Sequence, residues 1–137
     1  MIVIDTNVVY AGLRSKLGAS FALLTAISEE KVSYSLSTAL IFEYEDVLKR
    51  NQNDLAFTEK QIDELLDSLV ALSNPFSPYF LWRPILRDAK DDMVLELAVV
   101  SGAESIITFN TRDFEGSLKF GIKAVGPLDY LRKEKLL

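Results

Sequence analysis

The first candidate for chemistry is a carboxylate that directly follows an apolar run at the start of the chain. Residues Ile2–Ile4 are apolar and β-branched, and Asp5, Thr6 and Asn7 come next. An ionised group is costly to place beside an apolar core unless its charge is compensated. Asp5 either caps a turn or the following helix, as Asp and Asn commonly do, or it belongs to a site that supplies a positive charge.

Composition limits this chemistry to a few side-chain types. The chain has 137 residues, no His, no Cys and a formal net charge of −5. The lack of these two residue types excludes Ser–His triads, cysteine nucleophiles, disulfides and imidazole or thiolate metal ligands. A site built from carboxylates selects hard cations such as Mg²⁺ or Mn²⁺. The acidic balance argues weakly against bulk coating of nucleic acid, but it leaves room for a small nucleic-acid site.

A second polar group follows another short apolar run, near the end of the sequence. Residues 105–108 are typical of a buried strand, and Asn110 and Asp113 come directly after it. In an α/β fold with a parallel sheet, ligands bind beyond the carboxyl ends of the strands. We therefore expect Asp5 and Asp113 to meet at one edge of the sheet, although they lie at opposite ends of the sequence.

Two more carboxylates lie on a predicted helix over residues 91–101. The helix is apolar around almost its whole circumference, except for a narrow stripe that holds Asp92 and Glu96. Carboxylates four positions apart on a helix repel each other, and a metal ion or a nearby Arg would resolve the conflict. Asp91 lies in the first turn, where negative charge is favourable without any function. The pattern favours a functional role for Asp92 and a structural one for Asp91.

A further glutamate is predicted on a helix that Ser37 or Thr38 caps and that ends near residue 50. The buried stripe of this helix is made of Leu40, Ile41, Tyr44, Val47 and Leu48. Glu43 lies at one edge of the stripe and Glu45 at the other. The helical period alone does not choose between them.

Short apolar strands alternate with amphipathic helices along the chain. The predicted strands are residues 2–4, 32–36, 105–108 and 122–125, and the predicted helices are 19–30, 38–50, 58–74, 91–101 and one that begins at Pro127. A loop is predicted at 14–18. Thr58 and Gln61 form a capping box, and Gly102 ends the fourth helix. This alternation predicts one domain over 1–137, a three-layer α/β/α sandwich around a parallel sheet of four or five strands.

The order and spacing of these motifs resemble those of PIN-domain ribonucleases. The resemblance rests on Asp5-Thr6-Asn7 after the first strand, Leu40-x-x-Glu43 in a capped helix, Asp91-Asp92 before Leu-Glu-Leu-Ala98, and Thr108-x-Asn-x-x-Asp-Phe114. It covers residues 2 to about 130 and is strongest to the VapC-like toxins of bacterial and archaeal toxin–antitoxin pairs. It implies a PIN-like fold and metal-dependent hydrolysis of RNA.

The resemblance also assigns roles to particular residues. It implies that Asp5, Glu43, Asp92 and Asp113 form a catalytic cluster that holds one or two Mg²⁺ or Mn²⁺ ions, with Asp91 as a possible shift by one position. It favours Glu43 over Glu45. The side chains expected to support this cluster are Thr6, Asn7, Asp91, Glu96, Thr108 and Asn110. Many relatives carry an aspartate where this chain has Asn110, which leaves one fewer charge for a second metal ion.

The resemblance further implies a set of partners. These are an RNA substrate, a cognate antitoxin protein and a second copy of the chain in a homodimer or higher oligomer. The candidate contacts to RNA phosphates are Arg14, Lys16, Arg50 and Arg87. The aromatic residues 79–82 are expected in the core or at a protein interface, with base stacking as the alternative. No membrane-spanning run or signal peptide is predicted, so we expect a cytoplasmic protein.

Two other functions compete with this prediction. The first is a phosphatase or phosphotransferase that uses Asp5 as its nucleophile, as in haloacid-dehalogenase-like enzymes. Those enzymes typically carry Asp-x-Asp, whereas the second position here is Asn7. The second is a PIN-like protein that has lost catalysis and serves only as a binding partner.

Overall fold

The computed structural model describes residues 1–78 and 84–137 as short parallel strands and surrounding helices. The strands are β1 (Ile2–Ile4), β2 (Ser35–Leu36), β3 (Asn74–Pro75), β4 (Ser105–Ile107) and β5 (Lys123–Val125). The helices are α1 (Thr6–Arg14), α2 (Ala19–Ser28), α3 (Thr38–Arg50), α4 (Gln52–Leu55), α5 (Glu59–Leu72), α6 (Ala89–Ser101) and α7 (Pro127–Lys133). A segment of 3₁₀ turns, Thr111–Phe120, lies between β4 and β5.

The strands pair in parallel in two small sheets. One sheet has the order β1-β4-β5, with Ile2 opposite Ser105 and Ser105 opposite Lys123. The other pairs β2 with β3. A parallel bridge between Ile2 and Tyr34 links the two sheets, and the Ile2 amide donates to the Ser33 carbonyl oxygen at 3.0 Å. The parallel strands and the surrounding helices confirm the predicted α/β sandwich, but the strands form a three-stranded and a two-stranded sheet rather than one sheet of four or five strands.

The core lies along β1, β4 and α6. The side chains of β1 are at most 1 % exposed, and Ile106 and Ile107 of β4 are fully buried. Such continuous apolar runs are typical of parallel strands that are covered on both faces. Helix α6 packs against β1, β2 and β4 and is buried from Val94 to Ala98. This confirms the prediction that α6 is an internal helix.

Several local sequence signals form the expected structures. The Ser37 hydroxyl accepts a hydrogen bond from the Leu40 amide at 3.1 Å and caps α3. Thr58 and Gln61 form both hydrogen bonds of a capping box at the start of α5. Gly102 ends α6 with φ of +68°, a left-handed conformation that glycine adopts without strain.

Helix α1 differs from the sequence-based prediction, which placed only a loop at 14–18 in this region. Val8, Val9 and Gly12 are weak helix formers, so the local pattern is poor. All three are buried, and α1 packs closely against α2. A β-carbon on Gly12 would lie 2.5 Å from Leu24 Cδ1 and 3.0 Å from the Ser20 carbonyl oxygen. Tertiary packing therefore stabilises α1, and the close contact requires glycine at position 12.

Other predictions differ in extent or fall outside the described residues. Strand β2 is shorter than predicted, and neither β3 nor the 3₁₀ segment was predicted. The aromatic stretch at 79–82 lies outside the described residues. No helix in the described ranges combines the length and apolar character needed to cross a membrane.

Candidate active site

The carboxylate of Asp5 lies at the carboxyl edge of the sheet and is held from two sides. Its backbone amide donates to the Ile107 carbonyl oxygen of β4 at 2.9 Å. Its Oδ1 accepts from the Thr6 amide at 2.9 Å, which makes Asp5 the N-cap of α1. Its Oδ2 accepts from the Thr108 hydroxyl at 2.7 Å. Asp5 is therefore both a helix cap and a fixed, 8 % exposed carboxylate at the sheet edge.

The ends of β1 and β4 are joined by further polar contacts. The Asn110 amide donates to the Thr108 hydroxyl oxygen at 3.0 Å, so Thr108 links Asn110 to Asp5. The Phe109 amide donates to Asn7 Oδ1 at 3.5 Å. The residues expected to support Asp5 therefore lie around it, because the paired strands bring their carboxyl ends together.

Helix α3 brings Glu43 to the same place. The Thr6 hydroxyl donates to Glu43 Oε2 at 2.5 Å. The neighbouring Tyr44 hydroxyl donates to the Ile4 carbonyl oxygen, which ties α3 to the end of β1. Glu45 instead forms an ion pair with Lys49 at 3.1 Å on another side of the helix. The helical period did not choose between these two glutamates. In the structure, Glu43 is the one near Asp5.

Several other acidic residues act on the carboxyl group of Asp91, at the start of α6. The pKa of Asp91 is raised to about 6, and burial of its side chain is the largest cause. Nearby negative charges add to the shift, and they belong to Asp5, Asp88, Asp113 and Glu43. Like charges within a few ångströms disfavour the ionised form. Carboxylates from distant parts of the sequence therefore share one electrostatic site.

Burial and neighbouring negative charges also act on the carboxyl group of Asp5. Burial raises the pKa of the Asp5 carboxyl above its usual value, and the hydrogen bonds from Thr108 and the Thr6 amide oppose that increase. The charges of Glu43 and Asp113 raise the pKa of Asp5 further. Asp113 itself is exposed in the first 3₁₀ turn, where its amide donates to the Asn110 carbonyl oxygen at 3.0 Å. Asp5, Glu43, Asp91 and Asp113 form the acidic cluster.

Asp92 is buried and accepts a hydrogen bond from the segment that precedes α6. It is 2 % exposed, and its Oδ1 accepts a hydrogen bond from the Leu86 amide at 2.8 Å. Its Oδ2 has no hydrogen-bond partner within the described part of the chain. The charges that raise the pKa of Asp5 and Asp91 come from other carboxylates. Glu96, one turn further along α6, is also buried.

The two adjacent aspartates have different surroundings. Consecutive residues on an α-helix point about 100° apart, so one residue turns toward the cluster while the next turns away. Asp91 meets the field of the acidic cluster, whereas Asp92 anchors the segment before α6 through Leu86. The acidic cluster is therefore defined with Asp91, and a catalytic role for Asp91 in place of Asp92 is part of our proposal.

The acidic cluster fits a hard divalent cation in chemistry, but it is not a preformed metal cage. Its donors are carboxylate oxygens, which Mg²⁺ and Mn²⁺ prefer. Its like charges would be relieved by a cation, as the raised pKa values of Asp5 and Asp91 indicate. Across 1–78 and 84–137, no group of three or more carboxylates has a geometry that could hold a metal ion.

The basic residues expected to contact phosphates have different environments. Arg14 pairs with Asp54 at 3.6 Å, and Arg50 pairs with Asp46 at 3.0 Å. Lys16 is exposed in the turn after α1. Arg87 lines a groove beside Asp113, together with Arg112. Sequence analysis missed Arg112, although its position next to Asp113 was a usable signal.

Comparison with protein families agrees with this geometry. The family model described as "PIN domain" matches residues 1–112. This range includes three members of the acidic cluster, Asp5, Glu43 and Asp91, together with Thr108. A comparison with curated proteins finds no match.

Proposed function

Since this chain belongs to the PIN-domain family, whose members are generally nucleases, we propose that it is a metal-dependent endoribonuclease that hydrolyses RNA phosphodiester bonds at the acidic cluster. One observation carries the proposal. The pKa of Asp91 is raised to about 6 by burial and by charges that include Asp5, Glu43 and Asp113. A cluster of like charges at the edge of a parallel sheet is an unfavourable arrangement for stability alone, and a cation would offset its cost.

Each member of the acidic cluster has a defined role in this proposal. Asp5, Asp91 and Asp113 would hold one or two Mg²⁺ or Mn²⁺ ions. Glu43 would orient the attacking water or hold the second ion. A bound cation supplies positive charge that makes water a better nucleophile and stabilises the leaving oxygen. General base catalysis by histidine is not needed for this chemistry.

The chain's own hydrogen bonds set the orientation of the two most constrained acids. Thr108 donates to Asp5 Oδ2 and Thr6 donates to Glu43 Oε2, so each threonine turns a carboxylate in a fixed direction. The Thr6 amide holds the other oxygen of Asp5. Such outer contacts commonly tune metal affinity as strongly as 10–100-fold. Thr6 and Thr108 are therefore positioning residues.

The proposal extends to the biological role. The order of motifs resembles that of VapC-like toxins, which supports a toxin that cuts cellular RNA in the cytoplasm and is inhibited by a cognate antitoxin. A homodimer or higher oligomer is part of the same proposal. Asn110, where many relatives have an aspartate, has a neutral side chain that adds no charge to the cluster, and its backbone amide donates to the Thr108 hydroxyl oxygen.

A phosphoaspartyl mechanism gains no support from the contacts of Asp5. Both carboxylate oxygens already accept hydrogen bonds, from Thr6 and Thr108. The Asn7 side chain, which occupies the second position of the Asp-x-Asp pattern, accepts from the Phe109 amide. It therefore contacts the backbone two residues after β4 and does not serve as an acid.

The experiment is cleavage of single-stranded RNA by the purified chain, with Mn²⁺ or Mg²⁺ and with a chelator. We expect cleavage that requires the cation and is abolished in Asp91→Asn. The matched control is Asp67→Asn, the same change at an exposed position on α5. Folding of each variant is checked by circular dichroism.

Two results would contradict the proposal. One is a folded wild-type protein that binds no divalent cation at millimolar concentration. The other is metal-dependent cleavage that is unchanged in Asp91→Asn. The toxin role has its own test, because expression of the wild-type chain should arrest bacterial growth and expression of Asp91→Asn should not.

A further inference from the structure

A groove of about 560 Å³ lies beside the acidic cluster. One wall is the segment just before α6, and the other is the 3₁₀ segment. Its lining residues are Ile85, Leu86, Arg87, Arg112, Asp113, Glu115 and Gly116. Asp113 belongs both to the groove and to the acidic cluster, so the two are continuous. The volume is within the range of about 300–1,000 Å³ that is common for ligand sites.

Two contacts hold the walls of the groove in place. Asp92 Oδ1 accepts a hydrogen bond from the Leu86 amide at 2.8 Å, and this bond attaches the first wall to α6. On the other side, a β-carbon on Gly116 would lie 2.9 Å from Leu86 Cδ2, so glycine allows the two walls to approach closely. Leu86 itself is 7 % exposed. The groove is therefore built from a buried anchor and a close contact.

The groove carries two arginines that have no acidic partner among the described residues. Arg87 and Arg112 are exposed, and neither forms an ion pair with any carboxylate in the ranges the structure describes. Arg14 and Arg50, by contrast, are paired with aspartates. An arginine presents several donors in a planar fork that matches phosphate oxygens. These two side chains are thus available for an anion.

The other charges of the groove indicate what kind of anion it takes. Asp113 and Glu115 also line it, so its four ionisable side chains sum to a net charge near zero. A free anion therefore gains little from bulk attraction. A phosphate on a strand that is already held at the acidic cluster gains more, because the second contact becomes intramolecular. This favours a polynucleotide over a free phosphate.

We propose that this groove binds the backbone phosphate of single-stranded RNA next to the one that is cleaved, through Arg87 and Arg112. The proposal rests on the proposed function, because it takes the acidic cluster as the site of cleavage. It adds the direction in which the strand leaves that site, over Asp113 and between the two walls. It also gives Asp92 a role as a positioning residue for the first wall.

The test measures RNA binding by fluorescence anisotropy with the full chain in the Asp91→Asn background, where no cleavage is expected. Arg87→Gln with Arg112→Gln is compared with Arg132→Gln with Lys133→Gln, which removes the same charge from the exposed end of α7. Loss of both groove arginines should weaken binding roughly tenfold and reduce the slope of log affinity against log salt by about 0.7, because contact with one phosphate is lost. The α7 pair should leave both quantities close to those of the Asp91→Asn protein.

The proposal is overturned if the groove variant and the α7 variant weaken RNA binding equally, or if neither does. Competition separates the possible ligands. Inorganic phosphate that displaces RNA at an equal phosphate concentration would assign the groove to free phosphate. A polyglutamate peptide of equal charge that binds with the same affinity, in an arginine-dependent way, would assign it to an acidic protein. Either outcome contradicts the RNA assignment.

The same variants separate this proposal from the proposed function. If the wild-type protein binds RNA through Arg87 and Arg112 but never cleaves it, the nuclease proposal fails and the groove assignment stands. If the wild-type protein cleaves RNA and the arginine variant binds and cleaves equally well, the groove assignment fails alone. A small phosphodiester without flanking phosphates gives the final check, because its cleavage should not depend on the two arginines.

Discussion

Asp91 and Asp92 are consecutive residues in the first turn of α6, and the structure gives them different environments. Its pKa is raised to about 6, first by burial and then by neighbouring carboxylates. Asp92 accepts a hydrogen bond from the Leu86 amide at 2.8 Å and fixes the segment before α6. Asp91 is thus a member of the acidic cluster, and Asp92 holds a wall of the groove.

This division predicts opposite effects of two matched substitutions. Asp91→Asn removes a proposed metal ligand and should weaken Mn²⁺ binding by at least about tenfold. Asp92→Asn keeps an oxygen that can accept the Leu86 amide, so its Mn²⁺ affinity should stay within about threefold of wild type. Isothermal titration calorimetry measures both. Equal losses in the two variants, or a larger loss in Asp92→Asn, would return Asp92 to the cluster.

The raised pKa of Asp91 predicts a pH-dependent cost to stability in metal-free protein. The folded-state pKa of about 6 lies above the ordinary value of 3.8, so the ionised form is disfavoured by folding. The contribution of Asp91 to stability is therefore complete below pH 3.8 and is lost as pH rises through 6. Asp91→Asn should be more stable than wild type at pH 7.5, by on the order of 1 kcal/mol after allowance for solvent screening.

Urea unfolding in the presence of a chelator measures that difference. The gap between Asp91→Asn and wild type should close as pH falls from 6 to 4. Asp67→Asn, an exposed control on α5, should differ from wild type by less than about 0.5 kcal/mol at both ends of the range. A gap that is constant with pH would mean that Asp91 does not titrate in this field.

The hydrogen bonds of Thr108 predict that its hydroxyl group is needed for tight Mn²⁺ binding. Its hydroxyl donates to Asp5 and accepts from the Asn110 amide, and the residue is fully buried. Thr108→Val keeps the shape but leaves both partners unsatisfied, which should reduce Mn²⁺ affinity by about 10–100-fold and stability by about 1–3 kcal/mol. Thr108→Ser restores the hydroxyl and should recover most of the Mn²⁺ affinity. Failure of serine to improve on valine would indicate a packing role only.

The buried hydroxyl of Tyr34 predicts that the protein loses stability at alkaline pH. Burial raises the pKa of its hydroxyl to about 12, and that hydroxyl donates to the Leu69 carbonyl oxygen. A raised folded-state pKa gives stability that is complete below pH 10 and is lost as pH rises toward 12. Tyr34→Phe should be less stable at pH 9 by about 1 kcal/mol, because it lacks the hydrogen bond. Denaturant unfolding at pH 9 and pH 11.5 should show that this gap narrows, and a gap that widens would contradict the assignment.

Conformations that depend only on neighbouring residues could be predicted from the amino-acid sequence. The capping box at Thr58, the cap at Ser37 and the glycine stop at Gly102 are satisfied within one turn of helix, so their residue types predicted their conformations. The buried strands β1 and β4 were also predictable, because continuous apolar runs are typical of covered parallel strands. Helix α1 was not, since its weak local pattern is stabilised by contacts with α2 and α3.

The sequence by itself determined the chemistry that is available: no His and no Cys, and carboxylates after two strands, from which we expected a site for a hard cation at one edge of a parallel sheet. Only the tertiary structure decided which carboxylates meet. Periodicity could not choose between Glu43 and Glu45, and it favoured Asp92 over Asp91. The choice depends on how α3 and α6 are rotated against the sheet, and long-range packing sets that rotation. A rotation of one residue, about 100°, exchanges the residue that faces the cluster for its neighbour.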